Sequence, residues 1–265
     1  MNKYWQLIQR SFMASVAYRA EVILWLLLDT FPLFILFFIW LSIFQSQTEV
    51  ANFSLGTITE YYLLVTLIDA LSSTHFENWR VEEIRAGKID FYLIRPLSYL
   101  KELLLRDLGG KLFYISFSLP FFGLVFLLIS QLAHLTFSQI TWLQLVIFVL
   151  LIIINYLIQF FIASMIVMVG FWFEYAEGLE HFKWLLVTLL SGWMIPVVMM
   201  PSWLQAVVNA LPFKYLFAVP VAVIQENYWL TGGDWLYLGL FGLGLALATH
   251  LVWNKAKLAY SSHGG

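Results

Sequence analysis

The feature that most constrains this chain is a series of six apolar runs, each near the length of a bilayer crossing. They lie at residues 22–44, 58–74, 112–132, 142–173, 182–199 and 235–253. A hydrocarbon core of ~30 Å needs about 20 apolar residues in helical form. The second run is a little short. The fourth exceeds one crossing and predicts tilt or projection beyond the headgroups. Composition agrees: 62% of residues are hydrophobic and 11% charged, against roughly 45–50% and about 25% in soluble domains. The expected fold class is therefore all-α integral membrane, one domain over 1–265 with six transmembrane helices. A soluble protein is excluded.

The basic residues orient the bundle. With the N-terminus in the cytoplasm, thirteen of the fourteen Lys and Arg fall inside and only Lys214 outside. This is the positive-inside pattern, and it predicts both termini in the cytoplasm. Residues 1–19 are too polar for a signal h-region, so the first run is expected to stay as an anchor.

Three segments depart from plain spans. In residues 1–20, Trp5, Ile8, Phe12 and Val16 recur at helical spacing among Lys3, Arg10 and Arg19. This reads as an interfacial amphipathic helix, the plainer alternative being a lead-in to the first span. Residues 76–111 form the one long charged stretch. Glu77 to Arg85 has helical character, Gly87 can end the helix, and Arg95-Pro96 forces a turn. Such a helix could dock a soluble partner or be a solvated connector. Residues 194–223 hold Pro196, Pro201, Pro212 and Pro220, four of the seven prolines. Proline breaks helices, so short broken helices, re-entrant or at the outer surface, are expected over 200–233.

Catalytic and cofactor signatures are missing. Cysteine is absent, which removes thiolate chemistry and disulfides. His75, His134, His181, His250 and His263 lack paired-ligand spacing, so no metal is expected. Gly109-Gly110-Lys111 lacks the spacing and the hydroxyl of a phosphate-cradling loop. Gly242, Gly244, Ala246 and Ala248 predict close helix packing rather than a nucleotide fingerprint. Asn52-Phe-Ser54 forms a glycosylation sequon in an outer loop, relevant only in a host with that machinery.

Ionisable or polar groups within spans are candidates for function. Asp29 and Asp69 could line a pathway or carry protons, or could simply accept hydrogen bonds from neighbouring helices. Asn155 and Gln159, one turn apart, could bridge two helices or face a substrate. Glu174, Glu177 and Glu180 share a helix face and could meet a basic partner or only water.

The tract IRAGKIDFYLIRPLSYL at 84–100, followed by RDLGGK at 106–111, resembles the membrane subunits of type-2 ATP-binding-cassette (ABC) exporters. It is closest in kind to a bacterial permease subgroup. The stretches at 18–40 and 211–224 share that character. The resemblance implies a half-transporter in a bacterial inner membrane. Its partners would be an ATPase dimer and a second permease, a copy or a paralogue, in the lipid bilayer; no nucleic acid is implied. ATP and Mg would sit on the ATPase, and this chain would hold no cofactor. The segment around 76–87 would be the coupling helix, with Glu77, Arg80, Glu82, Glu83 and Arg85 as polar contacts to the ATPase. Spans 1, 2 and 5 would line the pathway. The main alternative is a proton-coupled carrier or channel using Asp29 and Asp69. A membrane-embedded enzyme would need a polar catalytic cluster, and none stands out.

Overall fold

The computed structural model describes residues 3–95, 97–132, 139–173, 177–226 and 228–260. The chain runs through helices α1 (Lys3–Ala17), α2 (Arg19–Ile43), α3 (Leu55–Ser72), α4 (Glu77–Arg85), α5 (Asp90–Leu93), α6 (Tyr99–Leu132), α7 (Trp142–Val169), α8 (Glu177–Leu190), α9 (Ser202–Ala210), α10 (Ala218–Gln225) and α11 (Gly232–Ala259). No strand occurs among the described residues.

Four of these helices are long and apolar enough to cross a membrane: Arg19–Ile43, Tyr99–Gln131, Trp142–Val169 and Gly232–Ala259. They match the first, third, fourth and sixth runs. The two other expected spans come out differently. α3 carries Glu60 and Asp69 within 18 residues. α8 has only 14 residues, about 21 Å at 1.5 Å per residue, so the fifth run at 182–199 is not one helix.

The break after α8 has a local cause. Gly192 has φ +87°, a left-handed conformation open to glycine, and Pro196 follows. Backbone freed from a helix at apolar depth must find protein partners. α3 provides them: the Tyr61 hydroxyl donates to the Gly192 carbonyl at 2.5 Å and Tyr62 to that of Met194 at 3.0 Å. Beyond this point Pro201 precedes α9 and Pro212 opens a 3₁₀ turn, whereas Pro220 lies within the first turn of α10, where its missing N–H is tolerated.

Three helices start on the same device. Ser54 with Thr57, Thr141 with Gln144 and Thr231 with Asp234 each form a reciprocal capping box, at the starts of α3, α7 and α11. Ser54 of the sequon is thus engaged as a cap.

α3 is the centre of the bundle. Ile58, Thr59, Tyr61, Leu63, Val65 and Ile68 are buried on several sides of it. It packs against α2, α6, α7 and α10. A second apolar cluster at the basic end joins Phe76, Ile84, Ile89, Tyr99 and Leu103 to Phe160, Val167, Met168 and Trp253. This cluster seats α4 on the end of α7.

α6 starts 13 residues earlier than the third apolar run, so RDLGGK lies on a helix and not in the expected loop over 76–111. The reason is visible at Gly109. A Cβ there would meet the Ile8 carbonyl oxygen at 2.5 Å and Ser11 Cβ at 2.6 Å. Glycine lets α1 lie against α6, and that contact extends the helix beyond its apolar part. By contrast, Gly242 and Gly244 have nothing within 4 Å of a built Cβ. The close packing expected of them is not made among the described residues. Pro96, His134, Glu174 and His263 lie outside the described residues.

Candidate functional site

The groups that could carry function gather at the basic end of the bundle, around the corner between α3 and α4. A helix leaves its last carbonyls without intrahelical partners and carries a negative partial charge there. Lys111 uses this, and Lys183 binds the chain just beyond the cap. Lys111 of α6 donates to the Ala70 carbonyl at 3.4 Å and also to that of Ser73. Lys183 of α8 donates to the Thr74 carbonyl at 3.1 Å and pairs with the Glu77 carboxylate. The corner is thereby tied to α6 and α8. Burial pushes the Glu77 carboxyl above the usual carboxylate range, and Lys183 pulls it back in part.

The five residues expected to contact an ATPase divide into two sets. Glu77 and Arg80 are buried, along with Val81 and Ile84. They are internal anchors, which corrects their assignment as surface contacts. Glu82 and Arg85 are exposed, with Asn78 and Trp79 on the same outer stripe. Glu83 is half-buried and accepts from Arg80 Nη1 at 2.5 Å. Gly170 at the end of α7 makes room for this seating, since a Cβ there would meet Val81 Cγ1 at 3.1 Å.

Tyr92 is the hub of the tract that carried the resemblance. The Arg80, Arg95 and Arg106 guanidinium carbons lie 5.9, 5.4 and 5.6 Å from its ring centroid. Its hydroxyl accepts from Arg80 at 3.0 Å. Glu102, buried on α6, accepts from Arg95 at 2.8 Å and from Arg106 at 2.8 and 3.0 Å. Buried charges survive when paired and hydrogen-bonded, and this network joins α4 to α6. Tyr99 then stacks on Trp253 of α11 at 4.8 Å.

Deeper in the bundle, Asp29 accepts from Tyr114 at 2.9 Å and lies on the open side of α2. Lys111 lies within electrostatic reach of Asp107, Asp69 and Asp29. The two span aspartates therefore do have a cationic neighbour, which sequence reading had counted only as a topology signal. Asp107 also accepts from Tyr156 of α7 at 2.6 Å. Asn155 donates to the Leu216 carbonyl at 2.9 Å, tying α7 to the turn before α10, and Gln159 donates to Ser72 Oγ at 3.3 Å, bridging α7 to α3. A cavity of about 240 Å³ opens beside this corner, lined in part by Asp69, Gln159, Glu180 and Lys183. It brings together three of the sequence candidates.

Glu102, Asp107, Lys111 and Lys183 were missed as site residues.

The arrangement offers mechanical linkage: a short helix with one face bonded into the bundle and the other left open. Comparison with curated proteins and with solved structures gives no match. A family model described as ABC-2 family transporter protein matches residues 30–264. That span covers α3 to α11 and most of α2, and the chain belongs to this family of membrane transport components.

Proposed function

We propose that this chain is the permease half of an ATP-driven exporter, and that α4 receives the stroke of a separate ATPase subunit. The observation that carries the reading is the division of α4. Its inner face packs on α7, pairs with α8 through Glu77–Lys183 and meets Tyr92 through Arg80, and its outer face presents Asn78, Trp79, Glu82 and Arg85. A displacement applied to the outer stripe would pass through Glu77–Lys183 and the Lys111 grip into the bundle.

In this reading α3 and α8 join the four long helices as the second and fifth of six crossings. α9 and α10 are re-entrant from the outer side, and α1 lies in the cytoplasmic interface. The basic end faces the cytoplasm of a bacterial inner membrane. ATP and Mg belong to the ATPase dimer, and a second permease completes the pathway. Asp29, on the open side of α2, suits a wall shared with that second permease.

The test is a mild-detergent pull-down with the co-purifying chains identified by mass spectrometry. A Walker-motif ATPase should come down with the wild type. It should be lost from Asn78→Ala/Glu82→Arg, whose changes lie on the outer stripe and spare the anchors. Recovery of the chain without any ATPase, from cells expressing one beside it, would overturn the reading. Transport that stops with a protonophore while ATP persists would favour the carrier alternative through Asp29 and Asp69.

A further inference from the structure

A second cleft, of about 610 Å³, opens between α1, the first turns of α2, α4 and α6. Three cations line it: Arg80, Arg106 and Lys111. Two carboxylates face them, Glu21 and Asp107. Asp107 is already engaged by Tyr156. Arg80 is 3% exposed, and its Nε is buried without a hydrogen-bond partner among the described residues. A buried N–H without a partner is costly, and an oxyanion in the cleft is the kind of ligand that relieves it. Ser11 and Ser15 stand on the α1 wall. Ser11 Oγ donates to the Arg106 carbonyl at 2.7 Å, and Ser15 Oγ donates to the Ser11 carbonyl at 3.2 Å.

The other side of the cleft is apolar and open. Tyr18 and Trp25 are 67% and 54% exposed, with Val22 between them. They occupy the start of the first candidate span, which runs from Arg19. The cleft therefore lies where hydrocarbon gives way to headgroups, with cations inside and an apolar strip leading away along α2. Its volume falls within the roughly 300–1,000 Å³ of small-ligand sites. Basic pockets between helices at this height take lipid headgroups.

We propose that this cleft binds the phosphodiester of a phospholipid, with Arg80, Arg106 and Lys111 around the phosphate and an acyl chain along Val22 and Trp25. The same oxyanion chemistry would be presented by free phosphate. The apolar strip and the position at the membrane boundary favour the lipid. The inference rests on the chain being a membrane protein and is independent of the ATPase partner.

The experiment is native mass spectrometry of the full chain, purified in non-ionic detergent with equal phosphatidylglycerol and phosphatidylcholine. One retained phospholipid per chain is expected. Its occupancy should fall several-fold in Arg106→Gln and in Ala14→Trp, and persist in Arg106→Lys. Ala14 lines the α1 wall of the cleft, so Ala14→Trp narrows it and leaves every charge in place; it separates binding from folding, which circular dichroism checks in each variant. Equal lipid retention in the wild type and Ala14→Trp would overturn the site. Displacement of the lipid by inorganic phosphate in the millimolar range, with phosphate retained in its place, would overturn the lipid as its occupant.

Discussion

Lys183 of α8 holds both sides of one corner: its Nζ donates to the Thr74 carbonyl at 3.1 Å and pairs with the buried carboxylate of Glu77. Removing one partner of a buried pair leaves a charge uncompensated, at about 3–5 kcal/mol. Lys183→Met is expected to lower the unfolding midpoint in detergent and to raise hydrogen exchange in α4. Adding Glu77→Gln should recover part of that loss. An unchanged exchange rate in α4 would show that the corner is held by other contacts.

The same pair predicts a pH dependence. Burial raises the Glu77 carboxyl above its ordinary value, so the fold favours the protonated form. The stability tied to that proton is fully present below the ordinary carboxylate value and is lost as pH rises through the raised one. Lys183 opposes the shift, so Lys183→Met should steepen the loss, whereas Glu77→Gln should flatten it. Unfolding midpoints of the three proteins between about pH 4 and pH 8 check the sign. A steeper wild type than Lys183→Met would contradict it.

Gly109 sets the docking of α1. A larger residue would drive into the Ile8 carbonyl oxygen and Ser11 Cβ, and overpacking of this kind costs about 1–3 kcal/mol. Gly109→Leu is expected to free α1 from α6 while leaving the apolar core in place. The chain has no cysteine, so Ser15→Cys reports this directly: its labelling rate by a water-soluble maleimide should rise in the Gly109→Leu background. An unaltered rate would place the contact elsewhere.

Tyr61 completes the broken segment after α8. Tyr61→Phe keeps the ring and leaves the Gly192 carbonyl without its 2.5 Å donor, a loss of about 1–3 kcal/mol for a buried group. Gly192→Ala should be at least as harmful. It forces a side chain onto φ +87° and places Cβ 2.8 Å from the Tyr61 hydroxyl. Thermal melts of the two variants should both shift downward, with little effect from Tyr228→Phe, which lies outside this contact.

Much of the architecture was legible because it depends on local order along the chain. Apolar runs located four long helices, the capping residues were there to be read before α3, α7 and α11, and Gly87, with φ +69°, stands where α4 was expected to end. The fifth run misled because apolarity alone does not distinguish a straight helix from one broken by Gly192 and Pro196. α6 was cut short for the opposite reason. Its charged first turns look like loop, and only α1 lying on Gly109 accounts for their helical path.

The candidate site was less legible. α4 carries acidic and basic residues on both faces, Glu77, Arg80 and Glu83 inward or half-buried, Glu82 and Arg85 outward. Periodicity of polarity therefore could not show which face the bundle covers. Lys111 and Lys183 counted equally in the tally that oriented the chain. Their partners lie 38 and 106 residues away, beyond the reach of any local pattern. By itself the sequence determined a membrane-embedded helical chain, its long helices and the end where charge collects, because burial in lipid acts on each segment separately. Only the tertiary structure decided which charges anchor α4 and which remain on its surface, because that depends on how helices distant in sequence rotate against one another.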